Sequence, residues 1–160
     1  GFRCGWMCLS GPKQNAKSYI QGVNLLSSMR LCSNVPAQSI IQTALGGIQS
    51  ADELLLPGGR LFEQREVIYN ELSAIDGISV VKPDAAFYIF PKIDTQKIHI
   101  NNDEKFAMDL LKKKYVLISH GTGFNMPEPG YFRIVYLPDK EILHEACVTL
   151  GSFLQTYSQF

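Results

Sequence analysis

Two arginines stand in surroundings too apolar for an ordinary surface cation. Arg133 lies inside Phe132-Arg133-Ile134-Val135-Tyr136-Leu137-Pro138, a strand-like run, and Arg3 sits between Phe2 and Cys4-Gly5-Trp6. A guanidinium loses hydration free energy on leaving water unless an anion meets it, and its planar donor fork matches a carboxylate or phosphate in two-point contact. Each arginine therefore asks for an oxyanion. The plainer explanations are a structural ion pair on a sheet edge for Arg133 and a surface arginine for Arg3. Arginines clamp anions but neither break nor form a bond, so no catalytic residue is assigned from them.

Other constellations are weaker. Gly121-Thr122-Gly123 follows an apolar run like a phosphate-cradling loop, but such a loop needs a helix directly after it, and here Met126-Pro127-Glu128-Pro129-Gly130 follows instead. The segment reads better as a wall close to Arg133. There is no Gly-x-Ser-x-Gly elbow and no His-Glu-x-x-His. Cys4 and Cys8 lack a second ligand pair, and His99, His120 and His144 lack metal-like spacing, so no metal site is expected.

Composition narrows the class. Fifteen basic residues balance fifteen acidic ones in 160, with no basic stripe interleaved with aromatics, which argues against nucleic acid and membrane surfaces as partners. No apolar run approaches the roughly 18 residues of a spanning helix. Four cysteines in apolar rather than loop-like settings fit a reducing compartment, hence a cytoplasmic location. The opening Gly1-Phe2-Arg3, with no methionine or capping signal, reads as the interior of a longer chain.

The elements that must position the arginines follow from periodicity. Gly1 to Ser10 reads as a buried strand, Ser10-Gly11-Pro12 as a helix start, and Ala16, Ile20, Val23, Leu26 and Met29 as one face of a helix reaching about Leu31. Asn34-Val35-Pro36 starts a second helix that ends at Gly46-Gly47. Pro57-Gly58-Gly59 marks a boundary, dividing the chain into 1–58 and 59–160. A long helix with Leu61, Ile68, Leu72 and Ile75 then bridges the two parts. Beyond it come strands at Ile78 to Val81 and Ala86 to Phe90, a helix capped by Asn101-Asn102-Asp103 and closed by Lys112 to Lys114, and strands at Val116 to Ile118 and Phe132 to Val135. A last helix is capped by Asp139. The order after Gly59 is that of an α/β layer with helices on one face of a sheet.

Several of these segments together resemble a known family. Gly1-Phe2-Arg3-Cys4-Gly5-Trp6-Met7 is similar to the run that follows the cofactor-anchoring lysine in class I pyridoxal-phosphate aminotransferases. Ser28 to Gln38, Gln42 to Gly47, Pro57 to Leu61, Phe90 to Asp94, Gly121 to Asn125 and Phe132 to Val135 resemble the bacterial-type alanine (glutamate–pyruvate) branch, in order over nearly the whole chain.

The resemblance implies the C-terminal part of the fold type I pyridoxal-phosphate transferase fold, with 1–58 the remnant of the large cofactor domain and 59–160 the small domain. It makes Arg3 the ligand of the cofactor phosphate and Arg133 the grip on the substrate α-carboxylate. It also implies a homodimer, in which residues near Ser33 and Asn34 approach the neighbouring subunit's site. The intact enzyme would exchange amino groups between an amino acid, alanine or glutamate foremost, and a 2-oxo acid. The anchoring lysine, the aspartate that pairs with the pyridinium nitrogen and the stacking aromatic would all lie upstream of Gly1, so these 160 residues are expected neither to hold pyridoxal 5'-phosphate nor to catalyse. Ala85 stands where such relatives usually have glycine. Two rivals remain at this stage: a non-catalytic binding module on the same small-domain fold, and another pyridoxal-phosphate enzyme such as a carbon–sulfur lyase.

Overall fold

The computed structural model describes residues 3–159. Its chain contacts fall into two compact units, Gly1–Ser50 and Ala51–Phe160.

The first unit is helical. A single 3-10 turn at Gln14–Ala16 leads into helix α1 (Lys17–Arg30), and helix α2 (Val35–Gly46) follows. Asn34 caps α2 by accepting the Ala37 N–H at 3.3 Å, with Pro36 in the first turn where its missing N–H leaves nothing unsatisfied. The strand expected over Gly1 to Ser10 is not formed: Arg3 to Ser10 has no regular structure and is exposed, while Gly1 and Phe2 lie outside the described residues. A short apolar run has no fixed conformation of its own. It becomes a strand only when a neighbouring strand takes its backbone groups, and the described residues of this unit contain none. Ser10 likewise does not cap, since the first turn begins four residues later.

The second unit carries the core. After the short helix α3 (Asp52–Leu55), helix α4 (Arg60–Ala74) falls in this unit and buries Gln64, Ile68 and Leu72 along one stripe. Then come β1 (Ile78–Ser79), β2 (Tyr88–Ile89), β3 (Lys92–Ile93), helix α5 (Thr95–Ile98), helix α6 (Asp103–Lys114), β4 (Ser119–His120), a 3-10 turn (Gly121–Phe124), β5 (Phe132–Val135) and helix α7 (Lys140–Leu154). All strand pairs are antiparallel: β1 with β3, and β2-β5-β4 with β5 in the middle.

Helices α4 and α7 pack together, and α6 joins them over the sheet. Phe106 on α6, Phe132 on β5, Phe153 on α7 and Tyr157 form an aromatic knot with ring centroids 4.8 to 6.3 Å apart. Gln64, buried in α4, donates from Nε2 to the carbonyls of Leu137 (3.0 Å) and Pro138 (2.6 Å), which ties the end of β5 to that helix. Offset edge strands and two-residue ladders explain why sequence boundaries moved. The strand expected over Val116 to Ile118 stays outside the ladder and β4 begins at Ser119, because its register is set by Ser119 facing Arg133 and His120 facing Phe132. No helix among the described residues is long and apolar enough to cross a membrane.

Candidate functional site

Strand alternation settles where Arg133 points. On β5, Phe132 is 1% exposed and faces the core with Ile89 of β2, so Arg133 and Val135 occupy the opposite face with Tyr88. The apolar neighbours in sequence therefore belong to the other side of the sheet. A sheet-edge ion pair is not what forms. β5 is the central strand, and among the described residues no carboxylate reaches Arg133.

Two aromatic rings hold the guanidinium instead. Its carbon lies 4.6 Å from the centroid of Tyr88 and 4.4 Å from that of Phe124. Cation–π attraction of this kind contributes about 0.5 to 2 kcal/mol per ring and replaces part of the lost hydration without consuming an N–H. Nε is buried with no hydrogen-bond partner. The cation is thus half-buried and oriented, and among the described residues no hydrogen bond or ion pair takes up its donors. Two acids of the same unit have other partners: Glu128 takes Lys92 Nζ at 3.2 Å, an attachment that raises the Lys92 pKa, and buried Asp103 accepts from Thr122.

Phe124 comes from the Gly121–Phe124 turn, so the glycine-rich segment is a wall beside Arg133, as its sequence context argued. Gly121 is required there because a Cβ would lie 2.5 Å from Tyr131 Cβ and 2.8 Å from its carbonyl oxygen. Ala85 needs no glycine, since the left-handed residue of that turn is Ala86, at φ 61°, whose carbonyl accepts the Tyr136 hydroxyl at 2.8 Å. Tyr88 and Phe124 were not singled out from sequence. Their signal, an aromatic on each side of an arginine strand, becomes visible only once the strand pairing is known.

Arg3 belongs to the first unit, where it is exposed and makes no hydrogen bond or ion pair among the described residues. Its five N–H donors suit a phosphate. Asn34 serves as the α2 cap. Among the described residues no group of three or more His, Cys, Asp or Glu side chains could hold a metal.

Comparison with known proteins identifies the family. The glutamate–pyruvate aminotransferase AlaA of Haemophilus influenzae is 56% identical over 159 residues, covering 99% of this chain and 39% of that protein. An aminotransferase structure from Escherichia coli superposes with a TM-score of 0.79 at 49% identity, over 94% of this chain and 37% of that one. An alanine aminotransferase from Pyrococcus furiosus does so with a TM-score of 0.69 at 38% identity, over 90% of this chain and 36% of that one. The chain spans about two fifths of the length of the relatives it matches. The sequence pattern described as aminotransferase class I and II fits residues 1–150, a family that implies pyridoxal phosphate in the intact enzyme and an α/β fold of type I. With 150 matching residues and a fold shared with solved aminotransferases, the chain belongs to the class I and II aminotransferases.

Proposed function

We propose that this chain supplies the substrate-carboxylate arm of a pyridoxal-phosphate-dependent aminotransferase, with Arg133 as the residue that grips the α-carboxylate of the amino acid and of the 2-oxo acid. One observation carries this reading: a half-buried arginine on the central strand, fixed by two rings and without an acid of its own. Such a group has already lost part of its hydration, so a carboxylate that reaches it regains two charge-assisted hydrogen bonds at little further cost. Tyr88 and Phe124 keep water from the flanks of the guanidinium and restrict its rotamers, which pre-organises the contact.

Residues 1–58 then end the cofactor domain and residues 59–160 form the small domain. Arg3 would hold the cofactor phosphate through its unspent donor fork. Bound pyridoxal phosphate supplies the electron sink that lets an amino group leave one carbon skeleton and join another. The residues of this chain do the binding and orienting around that chemistry. The names of the relatives, glutamate–pyruvate aminotransferase and alanine aminotransferase, support glutamate with pyruvate, or alanine with 2-oxoglutarate, as the substrates we assign to the intact enzyme, which we take to be a cytoplasmic homodimer.

The test is made in a full-length aminotransferase that contains this sequence. Arg133→Ala should raise KM for alanine and for the oxo acid, lowering kcat/KM on the order of a hundredfold, as expected for a charged hydrogen-bonding partner worth about 3 kcal/mol. Arg3→Ala should instead loosen retention of the cofactor on dialysis, read by its absorbance. Unchanged kinetics for the first, or unchanged retention for the second, overturns the corresponding role. Sustained turnover of an S-substituted cysteine to thiol, pyruvate and ammonia with no oxo-acid acceptor present would instead mark a carbon–sulfur lyase, a reaction that needs a leaving group on Cβ and that alanine cannot undergo.

A further inference from the structure

Asp103 is buried at 3% exposure and has no cation in ion-pair contact among the described residues. A buried carboxylate of this kind is costly unless hydrogen bonds fill its oxygens. Both are filled from one residue: Thr122 donates its N–H to Oδ2 at 2.9 Å and its hydroxyl to Oδ1 at 2.8 Å. Helix capping does not account for Asp103, because Asn102 already caps α6 by accepting the Lys105 N–H at 2.8 Å. The position in the first turn of α6 adds the favourable end of the helix dipole to the carboxylate.

The residue so anchored is the second of the turn that carries Phe124. His120 Nδ1 accepts the Gly123 N–H at 3.1 Å, the Asn125 N–H donates to the Thr122 carbonyl at 3.0 Å, and Gly121 N–H donates to the Tyr131 carbonyl at 2.7 Å. Phe124 itself is 43% exposed, and besides Arg133 its only ring contact among the described residues is the edge-on Phe90 at 6.0 Å. Aromatic contacts on that ring are few, and the turn that carries it is tied down by these hydrogen bonds.

We infer that Asp103 and Thr122 form a positioning pair, whose two hydrogen bonds fix the turn that lays Phe124 on Arg133 and so set the guanidinium for the substrate carboxylate. The inference rests on the reading of Arg133 as the carboxylate anchor. It assigns Asp103 no contact with substrate.

The experiment uses the full-length aminotransferase containing this sequence, with propionate as a non-reacting carboxylate probe whose affinity is measured by calorimetry, alongside KM and kcat. Thr122→Val removes the hydroxyl at constant size, and Asp103→Asn removes the second acceptor oxygen. Each should weaken propionate and raise KM about five- to thirtyfold, the effect of one or two kcal/mol, while kcat stays within about twofold. Thr122→Ser should restore wild-type values. In an Arg133→Ala background, Thr122→Val should have no further effect on propionate, since the pair acts through that guanidinium.

Unchanged affinity in Thr122→Val, failure of Thr122→Ser to restore it, or an equal loss with and without Arg133 would each overturn the inference. If Arg133→Ala alone leaves propionate binding intact, the anchor reading fails and the positioning role falls with it. If Arg133→Ala abolishes binding and Thr122→Val does not weaken it, only the positioning role fails. Should Asp103→Asn not fold, Thr122→Val carries the test alone.

Discussion

Helices α1 and α4 are nearly equal in length, at fourteen and fifteen residues, and both show apolar side chains three and four apart. Their fates differ. Helix α1 buries no residue and leaves Tyr19, Leu25, Leu26 and Met29 exposed, whereas α4 seals Ile68 and Leu72 against α7 and the sheet. Residues 3–50 contain one fully buried apolar side chain, Ala37, while the second unit closes a continuous core from Ile68 to Tyr157. Period identifies a helix, but burial depends on what that helix meets. The contrast makes each unit a control for the other.

The largest expected contrast is in the cysteines. Cys4, Cys8 and Cys32 are exposed, and Cys147 is buried on α7, where loss of hydration pushes its thiol up to about 12. Alkylation by iodoacetamide at pH 8 should modify the first three readily. Cys147 should react only through unfolding, slower on the order of a thousandfold or more for an ordinary domain stability. The same shift has a sign in stability. The folded state keeps a proton that the unfolded chain sheds, so this contribution is complete below the ordinary thiol range and declines as pH rises from about 9 toward 12. Rapid labelling of all four thiols by mass spectrometry, or stability that rises with pH in that window, would erase the distinction between the units.

That distinction also marks what the sequence could tell. The helices were legible because their periods span three turns or more, and Asn34 and Asn102 cap as their residue types require. The expected strand at Gly1 to Ser10 was not, because a strand exists only by pairing and nothing in a single run specifies its partner. A guanidinium set in the apolar run of β5 was legible in the sequence at Arg133. Its aromatic flanks were not, since Tyr88 and Phe124 reach it from 45 and nine residues earlier in the chain, through strand register and a 3-10 turn. Helix α5 was missed because Asp94, which accepts the N–H groups of Gln96 and Lys97 at 3.1 Å each, caps only a single turn, too short for a period to show.

Truncations sharpen the comparison at the next level. Leu72→Ala removes a fully buried side chain from the α4 stripe and should cost about 2 to 5 kcal/mol. Leu26→Ala on α1, where the side chain is 67% exposed, should stay within about 0.5 kcal/mol. Urea denaturation of both variants gives the ratio directly. Comparable losses would mean that α1 is packed in solution as tightly as α4.

Within the second unit, Gly121→Ala should cost about 1 to 3 kcal/mol, because its methyl group would meet Tyr131 Cβ at 2.5 Å and backbone must shift to admit it. The loss should appear both in the melting temperature and in fluorescence of the tyrosines around the site. A neutral outcome would mean that the 121–124 turn yields without strain, which would also loosen the seat of Phe124.

The smallest effect separates two caps. Asn102 accepts the Lys105 N–H at 2.8 Å, so Asn102→Ala should destabilise by about 1 kcal/mol, the usual worth of a filled N-cap. Asp139 occupies the same position before α7 but makes no side-chain cap hydrogen bond, and its charge interacts with the helix dipole alone. Asp139→Ala should therefore cost less, about 0.3 to 1 kcal/mol at low ionic strength, and its effect should shrink with added salt while that of Asn102→Ala does not. Equal, salt-independent losses in urea melts would show that Asp139 swings in to cap α7 in solution, making the two helix starts alike.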